Sequence, residues 1–356
     1  MEKWIKRAAA IAPLDEERKT RARARIDDQT RPQGSLGRLE RFMECLVAIR
    51  EAEKPDVAKK RILIFAGDHG VADEGVSAFP KEVTKAMVMN FLNGGATINA
   101  LGREIGAEVR VIDAGVDADF GGDPRMVHAK VARGTKNFLK APAMTEDELD
   151  RALEAGWKQA EEAKRDGVGL IGLGEMGIAN TTSASALVAA LLPAPAGKVT
   201  GRGTGLNDDA LRNKVRVITE ALRKHEVRPD QPLRALQCLG GFEIAGMVGV
   251  LLGAAALKIP VVVDGWIVSS AALCAIRLNP DIRERMFFSH RSQESGHVHL
   301  LEHLKVEPIL NLDMRLGEGT AAALAMGILS AAVRVYNEVA TFSEAGVSNR
   351  SEKAEG

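Results

Sequence analysis

Cysteine is scarce in this 356-residue sequence, and its pattern excludes several classes of protein. Cys45, Cys238 and Cys274 lie in apolar surroundings, and the sequence contains no Cys-x-x-Cys pair. An odd number of cysteines does not fit the paired disulfide framework on which small secreted proteins depend. We therefore expect three reduced core residues in a cytoplasmic protein.

The sequence also lacks net charge and long hydrophobic runs. Lys plus Arg and Asp plus Glu each total 48, so we expect no bulk attraction to nucleic acid or to a membrane surface. No apolar run reaches about 18 residues without a charge, Pro or Gly, and the N-terminus lacks the apolar segment of a signal peptide. A hydrophobic content of 46% with 27% charged residues is typical of a soluble globular enzyme.

Short β-branched runs alternate with helical patterns from about residue 56 onward. The predicted strands cover residues 62–66, 108–112, 168–173, 235–239, 260–263 and 308–312. The predicted helices cover residues 81–104, 145–165, 182–192, 208–224, 241–257, 266–277 and 320–338. Apolar strands separated by helices indicate a parallel sheet with helices on both faces. The sequence therefore predicts an α/β protein with a Rossmann-like, six-stranded parallel sheet.

Both chain ends show only helical patterns. Apolar residues recur at spacings of three and four between Leu36 and Ile49, as in an amphipathic helix. We predict that residues 1–55 and 321–356 form a small helical domain beside a catalytic domain at 56–320. The polar tail from Ser343 onward is predicted to be disordered.

One acidic residue, Glu318, stands out because it lies between two glycines where a predicted strand turns into a helix. Ligands of open α/β sheets bind past the carboxyl ends of the strands, so Glu318 is expected to point into that crevice. Apolar surroundings would raise its pKa and suit it to act as a base near neutral pH. The alternative is an acid that merely favours a helix N-terminus.

The loop after the third predicted strand allows two interpretations. Gly172, Gly174 and Gly177 match the G-x-G-x-x-G spacing of a dinucleotide site, but Glu175 would then lie against a pyrophosphate. Residues 180–183 instead offer hydroxyl and backbone N–H groups at a helix N-terminus, which suits a single phosphate. A second Gly/Thr turn at 200–208 has the same character, with Arg202 as a candidate partner.

Two clusters of metal-ligating residue types are also present. Asp68, His69, Asp73 and Glu74 follow the first strand, and His290, His297, His299 and His303 lie near the C-terminus. A metal site needs several ligands that converge, and loop hydrogen bonding explains both clusters as well. We therefore expect no metal. Asp264, at the end of the fifth strand, is a candidate for holding ribose hydroxyls.

Taken together, these segments resemble one family, the nicotinate-nucleotide–dimethylbenzimidazole phosphoribosyltransferases of the cobalamin lower-ligand pathway. The resemblance runs in order from about residue 31 to 322 and rests on the segments RPQGSLGRLE, FAGDHGVADEGVSAFPKEVT, NFLNGGATIN, GLGEMGIANTT, TGRGTG, GGFEIAGM, VVDGWI, SHRSQESGH and LDMRLGEGTAA. It implies a Rossmann-like domain with a small helical domain built from both chain ends, and a homodimer. It also implies the reaction of nicotinate mononucleotide with 5,6-dimethylbenzimidazole, giving α-ribazole 5′-phosphate and nicotinate without a cofactor or metal.

The resemblance assigns roles to individual residues. Glu318 takes the position of the general base, and Glu175 that of a second catalytic carboxylate. The phosphate side is expected to consist of Gly177, Asn180, Thr181, Thr182 and Gly203. Asp264 and Ser292 are expected near the ribose and nicotinate. The residues expected at the benzimidazole pocket are Ser77, Phe79, Met87 and Leu316.

The sequence departs from the family pattern at one place. Many members carry Gln on the helix after SAFP, whereas this chain has Lys85-Ala86-Met87 there. We therefore expect a more apolar acceptor pocket. Two alternatives stay open, namely another phosphoribosyltransferase on the same scaffold and a non-catalytic nucleotide-binding protein.

Overall fold

A computed structural model describes residues 1–192, 194–203 and 205–348. Its strands are β1 (Lys60–Gly67), β2 (Ala107–Gly115), β3 (Met126–His128), β4 (Leu170–Met176), β5 (Val261–Val263) and β6 (Met286–Phe288). Its α-helices are α1 (Glu2–Ala9), α2 (Glu16–Asp27), α3 (Arg38–Arg50), α4 (Glu82–Leu92), α5 (Thr97–Glu104), α6 (Glu146–Arg165), α7 (Asn180–Leu191), α8 (Ala196–Val199), α9 (Asp208–His225), α10 (Pro232–Leu239), α11 (Phe242–Ala256), α12 (Trp266–Leu278), α13 (Ser295–Leu304), α14 (Thr320–Glu338) and α15 (Phe342–Ala345). Short 3₁₀ helices cover Gly70–Glu74 and Pro280–Arg285.

The six strands form one parallel sheet in the order β3-β2-β1-β4-β5-β6. This is the strand order of a Rossmann sheet, in which the order reverses between β1 and β4 and leaves a crevice at their carboxyl ends. One large apolar cluster covers the first face and contains α6, α7, α11 and α12. A second cluster with α4, α5 and α14 covers the other face. The predicted fold class is therefore confirmed.

Two of the six predicted strands are wrong, although the number of strands is right. Residues 235–239 belong to α10, which begins at Pro232, and 308–312 contain only an isolated bridge between Leu310 and His290. Both runs are short and apolar, and such runs do not distinguish a strand from a buried helix. The strands that take their places, β3 and β6, have three residues each.

Helices from both chain ends pack together. Side chains of α2, α3 and α14 form a separate apolar cluster that includes Ile26, Met43 and Tyr336. In contrast, α1 packs against the larger cluster through Trp4, whose indole donates to Asp150 in α6 (2.7 Å). The predicted disordered tail begins at Ser343, but residues 343–345 belong to α15, where Thr341 and Glu344 form a capping box; residues 349–356 lie outside the described residues.

The helix α14 is long and apolar enough to cross a membrane, with a mean hydropathy of 1.2. More than half of it is buried within the protein, against the sheet and α3. It is therefore a core helix of this fold.

Candidate active site

A cavity of about 420 Å³ lies where β4, β5 and β6 end. This volume is within the range of about 300–1,000 Å³ that is usual for small-molecule sites. Its lining consists of Glu175, Met176, Gly177, Ile178, Asn180, Thr181, Gly203, Gly265, Trp266, Ile267, His290, Ser292, Glu294, Arg315, Leu316, Gly317 and Glu318. The fold therefore brings eight of the predicted site residues to one cavity, namely Glu175, Gly177, Asn180, Thr181, Gly203, Ser292, Leu316 and Glu318.

Glu175 is held at the end of β4, where only 6% of the residue is exposed. The Asn180 amide donates to its Oε2. A Cβ atom at Gly317 would lie 2.6 Å from Oε1, so the glycine allows the carboxylate to approach the backbone. Burial raises the pKa of Glu175 to about 8, and the negative charges of Asp264 and Glu243 add to the effect.

Glu318 lies in a backbone segment where three consecutive residues have positive φ. Gly317, Glu318 and Gly319 have φ values of 85°, 62° and 79°, so Glu318 itself adopts the left-handed conformation that is uncommon for a residue with a side chain. Such strained positions persist where the surrounding structure enforces them, and they cluster at active sites. Burial raises the pKa of Glu318 to about 7, and the charge of Asp264 contributes.

The alternative role for Glu318, as an acid at a helix N-terminus, does not fit its position. The helix α14 begins at Thr320 and its N-cap is Gly319, so Glu318 precedes the cap. Its carboxylate accepts no hydrogen bond from the residues that the structure describes. The same N-terminus is instead satisfied by another acid, Asp264.

Asp264 is 1% exposed, and both of its carboxylate oxygens are in use. Oδ2 accepts from the Gly319 N–H (3.1 Å) and Oδ1 from the Ala322 N–H (2.9 Å). The prediction that this carboxylate holds ribose hydroxyls therefore lacks structural support, since Asp264 does not line the cavity. It instead ties the end of β5 to the loop that carries Glu318.

On the predicted phosphate side, Gly177, Thr181 and Gly203 line the cavity, and they also line an adjoining cavity of about 30 Å³. Thr182 does not line either one. It is fully buried, and its backbone N–H donates to the Ala179 carbonyl oxygen (2.9 Å). A residue in the first turn of a helix points inward or outward according to its place on the helix, which proximity in sequence does not reveal.

Lys214 of α9 lies beside the site, although it is not among the residues predicted from the sequence. It is 1% exposed, its Nζ donates to Thr181 Oγ1 (2.7 Å), and it lines the adjoining cavity. Burial lowers the pKa of Lys214 to about 8, while the carboxylate of Glu294 opposes the shift. A signal was present in the sequence, because Lys214 shares the buried stripe of α9 with Val217, Ile218 and Ala221.

The residues predicted for the benzimidazole pocket are not all brought together. Leu316 lines the main cavity although it is 52% exposed, and Ser77 lines the adjoining one. Phe79 is 49% exposed on the loop before α4. Met87 packs against the apolar cluster on the sheet face that α4, α5 and α14 cover. The apolar side of the main cavity consists instead of Met176, Ile178, Trp266, Ile267 and Leu316.

One member of the histidine cluster near the C-terminus, His297, stabilises the loop that carries Ser292. The Ser292 backbone N–H donates to His297 Nδ1 (3.0 Å), and His297 Nε2 bonds Ser269 Oγ (2.9 Å). Burial lowers the pKa of His297 to about 3, so the ring is neutral. Within the described ranges, no group of three or more His, Cys, Asp or Glu side chains is arranged to hold a metal ion. The expectation of loop histidines fits His290 only, because His297, His299 and His303 belong to α13.

The glycines of the possible dinucleotide motif serve packing. Gly172 and Gly174 lie within β4 and not in a turn after it. A Cβ at Gly174 would lie 2.6 Å from the Gly319 nitrogen, and one at Gly172 would lie 2.9 Å from Met326 Sδ. These glycines let β4 approach α14 and its preceding loop, so the dinucleotide interpretation is not supported.

Comparisons with known proteins agree with this architecture. A family model described as phosphoribosyltransferase (DBI_PRT) matches residues 11–347. The nicotinate-nucleotide–dimethylbenzimidazole phosphoribosyltransferase of Geobacter sulfurreducens is 54% identical over 337 residues, which cover 95% of this chain and 96% of that protein. The chain belongs to this family. The protein of the same name from Chlorobaculum tepidum is 50% identical over 344 residues, covering 97% of this chain and 98% of that one.

Solved structures place the fold within the phosphoribosyltransferase family as well. The crystal structure of CobT from Thermus thermophilus superposes with a TM-score of 0.89 at 42% identity, covering 94% of this chain and 99% of that one. The family is one of pentosyltransferases, so the chain is an enzyme. The family recognised from the sequence segments is therefore confirmed.

Proposed function

We propose that this enzyme transfers the phosphoribosyl group of nicotinate mononucleotide to 5,6-dimethylbenzimidazole, giving α-ribazole 5′-phosphate and nicotinate in cobalamin nucleotide-loop assembly. The names of the relatives support this reaction. The observation that carries it is the presence of two buried carboxyl groups, Glu175 and Glu318, at one cavity. Such a cavity attracts a cationic centre, and the reaction passes through one.

Glu318 is proposed as the general base. The pyridine-type nitrogen of benzimidazole attacks C1′ while the bond from C1′ to nicotinate breaks, and nicotinate keeps the bonding electrons. The other benzimidazole nitrogen must lose its proton, which Glu318 accepts. A pKa near neutral suits this transfer, because the base is available and still binds the proton well. Direct attack from the opposite face inverts the β-nucleotide to the α-product.

Glu175 is proposed to stabilise positive charge. As the bond to the pyridinium breaks, the ribose acquires oxocarbenium character, and a fixed carboxylate lowers the energy of that state. The amide of Asn180 holds the carboxylate in place. Because burial favours the protonated form of Glu175, the positive charge of the bound nucleotide is needed to ionise it.

The nucleotide phosphate is proposed to bind where α7 begins. Thr181, Gly203 and Lys214 meet there, and the ammonium group is 2.7 Å from the threonine hydroxyl. A helix N-terminus with a nearby cation is a favourable site for a phosphate. Gly177 and Asn180 complete this side in our proposal, while Ser292 faces the ribose and nicotinate.

The acceptor pocket is proposed to consist of Leu316 and Ser77 together with the apolar side chains of Met176 and Ile178. Phe79 and Met87 remain predictions from the resemblance. No cofactor or metal is required by the proposed chemistry.

The reaction is tested with purified enzyme, nicotinate mononucleotide and 5,6-dimethylbenzimidazole, followed by chromatography of the products. We expect nicotinate and an α-riboside phosphate in equal amounts. Nicotinate alone would indicate hydrolysis or an unsuitable acceptor. Absence of turnover would favour the alternative of a nucleotide-binding protein, and pyrophosphate-dependent release would favour another phosphoribosyltransferase.

We further propose a cytoplasmic homodimer in which residues 1–55 and 321–356 form a small domain beside residues 56–320. The packing of α2 and α3 on α14 supports the association of the two chain ends. Light scattering of the purified protein tests the dimer, and a mass equal to one chain would contradict it.

A further inference from the structure

His69 is a buried residue of the GDHG segment for which the proposed reaction has no role. It is 1% exposed and bonds side chains of two helices. Its Nε2 lies 2.7 Å from Glu243 Oε1 in α11, and its Nδ1 lies 2.9 Å from Ser183 Oγ in α7. The ring therefore links the end of β1 to both helices.

Gly241 and Gly177 let the backbone pack closely against the His69 ring. A Cβ at Gly241 would lie 2.3 Å from His69 Cε1, and one at Gly177 would lie 3.4 Å from Nε2. The Gly177 position is also pressed against the Gly67 carbonyl oxygen, at 2.3 Å from such a Cβ. Close packing of this kind holds a side chain in a single orientation.

The residue that His69 reaches, Ser183, lies in the first turns of α7. Asn180 and Thr181, at the start of the same helix, line the cavity. Just before the helix, the Ile178 N–H donates to Thr84 Oγ1 of α4 (3.1 Å). The segment from Gly177 to Ser183 is thus anchored at both ends by residues that do not line the main cavity.

We propose that His69 is a positioning residue that, held by Glu243, fixes the N-terminal turn of α7 through Ser183 and so aligns the groups that receive the nucleotide phosphate. This inference rests on the proposed function. His69 does not line the cavity, so it does not touch the substrate. A small displacement of positioned groups is costly, because binding and catalysis depend on their geometry to within about 0.5 Å.

Ser183→Ala removes the link while leaving every cavity-lining residue in place. We expect the KM for nicotinate mononucleotide to rise about tenfold, with kcat within about twofold and the KM for dimethylbenzimidazole unchanged. Ser185→Ala is the matched control. It removes a fully buried hydroxyl from the same helix, and that hydroxyl has no hydrogen-bond partner among the described residues.

Two variants of His69 separate positioning from general stability. His69→Phe keeps an aromatic ring but loses both hydrogen bonds, whereas His69→Asn places an amide where Nδ1 lies and can still bond Ser183. We expect His69→Asn to recover most of the nucleotide affinity that His69→Phe loses. Both variants remove the hydrogen bond between His69 and the Glu243 carboxylate, so both should lose the stability that this bond provides. A difference between them in nucleotide affinity then reports on the link to Ser183.

Equal KM values in Ser183→Ala and Ser185→Ala would overturn the proposal, as would a fall in kcat without a change in KM. Equal nucleotide affinity in the two His69 variants would also overturn it. Calorimetric titration with nicotinate mononucleotide distinguishes this failure from failure of the proposed function. If the wild-type protein binds the nucleotide without transfer, the proposed reaction is wrong while the affinity comparison still decides the role of His69.

Discussion

The edge of the central sheet where the strands begin and the edge where they end differ in whether their buried charged side chains have oppositely charged partners. At the edge where the strands begin, Arg61 of β1 is 2% exposed and pairs with Glu108 and Asp166, each at 2.7 Å. At the edge where they end, Glu175 and Glu318 are buried, and among the described residues no Lys or Arg forms a salt bridge with either carboxylate. The paired edge stabilises the fold, whereas the unpaired edge holds acids in an unfavourable state that a cationic reaction centre relieves.

The largest expected effect comes from removing the base at the unpaired edge. Glu318→Gln keeps the shape of the side chain but cannot accept a proton. We expect kcat to fall by about 10²–10⁴, the usual contribution of a general base, with little change in nucleotide affinity. Product formation measured by chromatography checks this, and near wild-type turnover would refute the role of Glu318.

The pH dependence of the reaction gives the next largest effect. Because the pKa of Glu318 is about 7, the free enzyme loses its base as the pH falls below that value. We expect kcat/KM to decrease about tenfold per pH unit on the acidic side. Glu318→Gln is the control, because ionisation of Glu175 and of the substrates persists in it. An identical acidic limb in both proteins would assign the limb to Glu175 or to the substrates and not to Glu318.

At the paired edge, removing a charge should destabilise the fold. Arg61→Met keeps the apolar stem but removes the buried cation between Glu108 and Asp166, which leaves Arg110 as their shared partner at 2.9 Å and 3.9 Å. We expect the free energy of unfolding to fall by about 1–3 kcal/mol in denaturant titrations. Arg228→Met is the control, since its pair with Asp230 is exposed and the loss of that pair should change the stability little. Equal stability of the two variants would contradict the comparison.

At the unpaired edge, removing a carboxylate should raise the free energy of unfolding at alkaline pH instead of lowering it. The folded-state pKa of Glu175 is raised from 4.5 to about 8, so its stabilising contribution is present below the unfolded pKa and is lost as the pH rises through about 8. We expect Glu175→Gln to be more stable than wild type near about pH 9, on the order of 1–2 kcal/mol, and equal to it near about pH 5. If the variant were less stable than wild type at both pH values, ionised Glu175 would not destabilise the folded state.

Part of the architecture follows from local patterns. Strands such as 62–66 and helices such as 145–165 and 320–338 are confirmed within one or two residues at most ends, because long periodic segments carry their own signal. The predictions for 235–239 and 308–312 are wrong because five apolar residues fit a strand and a buried helix equally well. The three-residue strands β3 and β6 are not predicted, whereas the equally short β5 is predicted at 260–263 because three consecutive valines form a β-branched run.

The sequence by itself determined the fold class, the family and the position of Glu318 between two glycines, because periodicity and motif order are properties of neighbouring residues. Tertiary structure alone decided which groups face the cavity. It turned Asp264 toward the backbone of α14, buried Thr182 and brought Lys214 to Thr181. It also joined His69 to Ser183 and Glu243, which lie 114 and 174 positions further along the chain. These pairings depend on how helices pack on the sheet, and that geometry is set by the whole core and not by any local segment.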